Sequence, residues 1–162
     1  PYFINGLSMI KKEQIFDLID PKLKADGYFP VDVTVKSGNR IEVLIDSDQG
    51  APIEYCVEIS RLIEQSLDRE AEDFELEVSS PGIGQPFKVK EQYLKSIERP
   101  VEVIMPDGKT QKGILEEVGD EDFVVKEEKK VKVEGKKKKE LQVNHHRFRF
   151  DEVNKVKEIL KL

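Results

Sequence analysis

The sequence predicts an α+β protein in two parts: an N-terminal α-β-β-α-β domain and a small β-barrel after it. Three observations carry this. Apolar residues recur at helical spacing in two segments of the first half. They alternate at period two between and after those segments. Beyond residue 100, short alternating runs are split by turn chemistry.

The first helix is predicted over Met9 to Asp26, where Ile10, Ile15, Leu18, Ile19 and Leu23 share a face. Asp20-Pro21 is expected to kink or break it, because proline lacks the N–H and its ring clashes with the preceding turn. Gly27 is placed to end it. Val31, Val33 and Val35 then lie on one side of a strand, "SGN" (Ser37 to Asn39) turns the chain, and Ile41, Val43 and Ile45 line a second, antiparallel strand. "DSDQGAP" (Asp46 to Pro52) reads as a loop. A second helix runs from about Ile53 to Arg69 on a stripe of Cys56, Ile59, Leu62, Ile63 and Leu67. Phe74, Leu76 and Val78 alternate as a third strand, and the order places two helices on one face of a small sheet.

The second half differs in kind. A short helical piece fits Val89 to Ile97. Strands are predicted over Pro100 to Met105, Thr110 to Val118 and Phe123 to Glu128, with two more flanking "EGKKKK" (Glu134 to Lys139). The tail, Val153 to Leu162, fits a short helix or a closing strand equally. Strands at this spacing suggest a small barrel. The domains are therefore placed at 9–82 and 89–162 with a linker at 83–88. Residues 1–8 ("PYFINGLS"), ahead of the first Met, are set aside as an expression remnant or processed leader.

Composition narrows the function. Equal shares of hydrophobic (38%) and charged (37%) residues give a modest core under a highly charged surface, without the bias of a disordered chain. No apolar run approaches the ~20 residues of a membrane span. The single cysteine, Cys56, forms no internal disulfide and no zinc cluster, and a reducing cytoplasm is the expected compartment. The net charge of −6 is uneven: residues 1–85 carry 8 basic and 17 acidic side chains, residues 86–162 carry 19 and 16. Nucleic acid, if touched, is expected at the second half, and a basic protein partner suits the first.

Candidate chemistry centres on "LEVSSPGIGQPFK" (Leu76 to Lys88). A nucleophile at Ser79 or Ser80 needs a base and oxyanion donors, yet the flanking residues are not the glycine-serine-glycine elbow, and His145 and His146 fall in the other predicted domain. A phosphate cradle at Gly82 and Gly84 is interrupted by Pro81 and Pro86, which donate no backbone hydrogen bond. Strand end, turn and hinge is the favoured reading, with Ser79, Ser80, Pro81, Gly82 and Pro86 as the inter-domain hinge. Adjacent His145 and His146 on a strand face opposite sides and cannot chelate one ion, so no metal or cofactor is expected. Lys136, Lys137, Lys138 and Lys139 are a solvated hairpin tip or one end of a basic stripe for RNA phosphates, joined by Lys129, Lys130, Lys132, Arg147 and Arg149. Phe148 and Phe150 alternate with the arginines and are expected on the core side.

The run Tyr55 to Phe87, "YCVEISRLIEQSLDREAEDFELEVSSPGIGQPF", resembles the ribosome maturation factor RimP family. Cys56 and Ser60 match a Cys-x-x-x-Ser helix, Leu67-Asp68 its end, and Leu76 to Gly82 the "LEVSSPG" stretch. "GYFPVDV" (Gly27 to Val33) is similar to the family's first strand. The resemblance implies a type II KH-like first domain and an Sm- or SH3-like barrel. It also implies a non-enzymatic, cytoplasmic factor that binds the immature small (30S) ribosomal subunit and aids its late assembly; the chain is expected to act as a monomer. Its expected partners are a ribosomal protein near the decoding region, mainly through the barrel, and rRNA, with no membrane and no small-molecule substrate. Gly84 and Gln85 stand where the family usually has Asp-Arg, so no RNA contact is carried onto that segment. No Gly-x-x-Gly loop lies between the helices. Two alternatives stay open: a free-standing RNA-binding module or chaperone using the basic second half, and a hydrolase centred on Ser79 or Ser80.

Overall fold

The structure, a computed structural model, describes residues 10–162. The separate status expected of residues 1–8, and Met9 as a helix start, lie outside them. The first part contains α1 (Lys12–Ala25), β1 (Phe29–Lys36), β2 (Arg40–Asp46), α2 (Ile53–Ser66) and β3 (Glu75–Ser79). Alternation in β1 and β2 buries Val31, Val33, Ile41, Val43 and Ile45 on one face. Ile15, Ile19 and Leu23 of α1 and Cys56, Ile59 and Ile63 of α2 meet that face in one core. Each fully buried Ile or Leu there contributes about 1.5–3 kcal/mol. The sheet order is β1-β2-β3, with β2 antiparallel to β1 and parallel to β3.

Two expectations are corrected here. Pro21 neither breaks nor ends α1, which continues through it to Ala25. The proline ring lies on the exposed side, and the buried stripe of Ile15, Ile19 and Leu23 holds the helix together on the other. Ile10 is buried but precedes the helix, and its N–H donates to Asn39 Oδ1 at 3.1 Å. Gly27 does end the helix: at φ +82° it turns the chain so that the Tyr28 N–H reaches the Leu23 carbonyl at 2.7 Å. The β1–β2 turn needs positive φ at two successive residues, and Gly38 and Asn39 supply it. The second helix stops at Ser66, short of the expected Arg69, because Leu67 is extended and packs against the core.

The chain divides into two compact units between Pro81 and Gly82. The second holds α3 (Lys90–Lys95), β4 (Pro100–Ile104), β5 (Thr110–Val118), β6 (Asp122–Val131), β7 (Glu140–Arg149) and β8 (Lys155–Glu158). All ladders are antiparallel in the order β7-β6-β5-β4-β8. Val101, Val103, Leu115, Phe123, Val125 and Val156 form its core, and Phe148 and Phe150 pack against it as alternation predicts. Tyr93 of α3 meets Phe87 and Phe150 edge-on, at 4.9 and 5.0 Å between ring centroids. The ambiguous tail is a strand, β8, because its backbone pairs with β4. Predicted strands before and after "EGKKKK" resolve differently: the first is the continuation of β6, the second is β7.

Candidate nucleic-acid interface

Among the described residues the β6–β7 hairpin is the longest ladder, with ten pairs from Asp122↔Arg149 to Val131↔Glu140. Its neighbour β5 accompanies β6 only as far as Ile114↔Lys126. From Glu127 onward the two strands pair with each other alone, and residues 132–139 close the tip. The sequence places its basic residues along this element, and the structure sorts them.

Arg147 is neutralised locally. Its guanidinium lies 3.2 Å from Asp122 and 4.0 Å from Glu117. Arg149 pairs with Asp151 at 3.1 Å, and its N–H backbone donates to Glu152. The hydrogen bonds that Arg149 donates to Asp151 raise the Arg149 pKa and lower that of Asp151. Both arginines carry their own carboxylates at the Asp122 end of β7. The tip lysines sit at the other end, about 26 Å of strand away from Lys139 to Arg147. Lys129 and Lys130 of β6, opposite Gln142 and Leu141, and Lys132 beyond it are exposed and lie between these two ends. At the tip, Lys136 is paired with Glu140. Lys137, Lys138 and Lys139 are exposed, and among the described residues no carboxylate pairs with them.

The root of the hairpin contains residues that alternation marked only as histidine neighbours. His146 Nε2 lies 3.0 Å from Glu127 Oε1, and Asn144 donates to the same oxygen at 3.3 Å. The His146 hydrogen bond, then one from Gln111, pulls the Glu127 carboxyl down to about 2. On the opposite side His145 Nδ1 lies 2.9 Å from Glu116 Oε1. The two imidazoles thus face opposite ways, each held by a glutamate, as the period of a strand requires. No sequence signal gave these partners, since Glu127 and Glu116 stand 19 and 29 residues from their histidines. Among the described residues no cluster of three or more His, Cys, Asp or Glu could hold a metal ion. Cys56 is buried, and burial pushes its thiol upward.

The serine stretch has ordinary roles in its own unit. Ser79 is the last residue of β3 and sits opposite Leu44. Ser80 and Pro81 follow without strand pairing. Gly82 opens a turn in which the Gln85 N–H donates to its carbonyl at 3.2 Å, with Gly84 at φ +93°. Gly84 and Gln85 form that turn in place of the Asp-Arg usual in the resembling family. Pro86 bridges Lys157, and the Phe87 N–H donates to the Val156 carbonyl at 2.7 Å. The chain's two histidines, the natural bases for a serine nucleophile, are engaged with Glu116 and Glu127.

Residues 18–84 match the RimP N-terminal domain. Ribosome maturation factor RimP of Porphyromonas gingivalis is 40% identical over 131 residues, covering 81% of this chain and 86% of the relative. The chain belongs to the RimP family. Ribosome maturation factor RimP of Flavobacterium psychrophilum is 36% identical over 118 residues, 72% of this chain and 76% of its own. The Christiangramia forsetii RimP is 34% identical over 105 residues, 64% and 69% of the two chains. The matched domain takes in β1, β2, α2 and β3, and the "LEVSSPG" stretch that ends it is the strand end and turn described above.

Proposed function

We propose that this chain is a ribosome maturation factor that acts by binding the small ribosomal subunit late in its assembly and transforms no substrate. The observation that carries the reading is the similarity, over most of the chain, to proteins named ribosome maturation factor RimP. Binding aids assembly only through preference for one conformer, so the factor must hold a late precursor more tightly than the mature or earlier state. The charge division supports a ribonucleoprotein partner: acidic side chains predominate in the first 85 residues and basic ones in the remainder.

The fold is consistent with a type II KH-like first unit, given two helices packed on one face of β1-β2-β3. An Sm- or SH3-like barrel is supported in the second, because Phe148 of one edge strand and Val156 of the other reach one core. The segment Ser79, Ser80, Pro81 and Gly82, with Pro86 beyond it, serves as the hinge between the units. The partner surface includes a ribosomal protein near the decoding region, and the factor works as a cytoplasmic monomer. Among the described residues no helix is long and apolar enough to cross a membrane.

Sedimentation of cell extract through a gradient tests this. The protein is expected in small-subunit precursor fractions and depleted from mature particles. Its absence from precursors at both low and moderate salt refutes the reading. The Ser79→Ala, Ser80→Ala double variant is expected to sediment and support maturation as the parent does. Loss of maturation with sedimentation intact would favour chemistry at the serines.

A further inference from the structure

The hairpin beyond Lys126 is an arm. Five pairs, Glu127↔Asn144 to Val131↔Glu140, extend past the last β5 contact, which projects the ladder about 16 Å before the tip loop begins. A two-stranded ribbon alone is marginal in water. This one is braced at its root: His146 Nε2 of β7 lies 3.0 Å from Glu127 of β6 on one side, and Glu116 of β5 lies 2.9 Å from His145 on the other. Its composition contrasts with the rest of the chain. Residues 127–144 hold seven lysines and four glutamates, a net of +3 in a protein of net −6.

The chemistry of the arm narrows what it meets. It contains no aromatic residue and no arginine. It therefore lacks the rings on which single-stranded bases stack and the planar fork that reads a base edge bidentately. What it offers is flexible ammonium groups, Lys137, Lys138 and Lys139, at the far end of a braced support. Such groups serve as point charges for phosphate. We infer that the β6–β7 arm grips the phosphate backbone of double-helical RNA, independently of sequence, with Lys137, Lys138 and Lys139 as the contacts. This deepens the maturation-factor reading and rests on it for its setting. The arm's tip stands apart from Arg147 and Arg149, each of which has a carboxylate partner.

The test uses the full chain and a labelled RNA duplex of about 20 base pairs, followed by fluorescence anisotropy between about 50 and 300 mM salt. Three phosphate contacts give a slope of log affinity against log salt of about −2 to −3. The Lys137→Glu, Lys138→Glu, Lys139→Glu variant is expected to lose at least about tenfold in affinity at low salt and most of that slope. A control with the same change in net charge, Lys11→Glu, Lys12→Glu, Lys161→Glu, is expected to lose less than about threefold, the share due to net charge alone. Replacing residues 132–139 by Asn-Gly, which keeps the Val131↔Glu140 register, is expected to match the triple reversal.

Equal losses in reversal and control, or a parent slope near zero, overturn the arm as an RNA grip. So does a reversal variant that keeps RNA affinity yet leaves the precursor fractions, since the arm then docks on protein. Because the duplex is naked RNA, failure there leaves the sedimentation result standing. Failure of sedimentation with the duplex result intact points instead at the maturation-factor reading.

Discussion

Gly113 is the position where the second unit should be least tolerant of a single added carbon. It is buried in β5, opposite Val101, next to the place where β6 parts from β5. A Cβ there would stand 2.5 Å from the Lys126 carbonyl oxygen and 2.5 Å from Val125 Cγ1. Ordinary contact begins at 3.4 Å, so something must move by about 0.9 Å. Neither neighbour gives easily. Lys126 is backbone held between two ladders, and Val125 is a fully buried β-branched side chain with little χ1 freedom. Overpacking of this kind costs about 2–3 kcal/mol. The stiffer unfolded chain returns about 0.5–1 kcal/mol of that. Gly113→Ala should therefore destabilise the second unit by about 2 kcal/mol, lowering its melting temperature by roughly 8–15 °C for a unit of this size. Differential scanning calorimetry measures it. Gly82→Ala is the control, with nothing within 4 Å of the added carbon and no positive φ, and should stay within about 0.5 kcal/mol. A Gly113→Ala melting temperature within about 2 °C of the parent would refute the close approach of β5 and β6.

Two further outcomes follow from particular residues. Pro21→Ala should stabilise the first unit by about 1–2 kcal/mol, since proline in a helix interior is about 3 kcal/mol worse than alanine, partly offset by its restriction of the unfolded chain. A urea midpoint unchanged or lowered would show that the Pro21 ring makes a contact α1 requires. The Glu127 carboxyl lies below its ordinary value of 4.5, at about 2, because His146 and then Gln111 hydrogen-bond the charged form. Its stabilising contribution is thus complete above about pH 4.5 and lost as pH falls toward 2. The difference in urea midpoint between the parent and Glu127→Gln should be largest near pH 6 and vanish near pH 2, and a difference independent of pH would contradict the His146 brace.

Local pattern carried the elements whose stability is local or whose faces differ sharply. Thr110 to Val118 is a strand with those bounds because the turn runs "PDGK" and "GDED" bound it on either side. The α1 and α2 stripes read directly because Ile15, Ile19 and Leu23 repeat every four residues and Cys56, Ile59 and Ile63 at three and four. Elements decided by distant partners were not legible. In the tail, Val153, Val156, Ile159 and Leu160 fit a helix as well as a strand, and the choice is made by β4, some 50 residues earlier: only Val156 is buried, while Leu160 is exposed. The far half of β6 was hidden for another reason. Its side chains there are nearly all charged, so no apolar period marks it, and its strand character comes from the ladder to β7. The break expected at Pro21 does not occur, because the burial of a whole helical face outweighs one lost hydrogen bond.

The candidate interface shows why counting charge along a sequence overstates a basic surface. Lysines and arginines from 129 to 149 look like one stripe, yet Arg147, Arg149 and Lys136 each have a carboxylate partner that folding brings or keeps beside them. A paired cation must break its own ion pair before it meets a phosphate, a cost of about 0–1 kcal/mol at an exposed site, whereas an unpaired one adds its full counterion release. The distance between the two groups then matters as much as their pairing. At physiological ionic strength the screening length is about 8 Å. The stretch of β7 between the tip lysines and Arg147 is about three such lengths. The carboxylates of Asp122, Glu117 and Asp151 consequently exert almost no field at Lys137 to Lys139, and the tip behaves as a small basic element of its own on a protein that is acidic overall. Lowering the salt should erode that independence, because a longer screening length lets the acidic remainder of the chain repel the same RNA. The salt dependence of the parent should then flatten at the lowest ionic strengths rather than continue on one line, a curvature that a uniformly basic stripe would not produce.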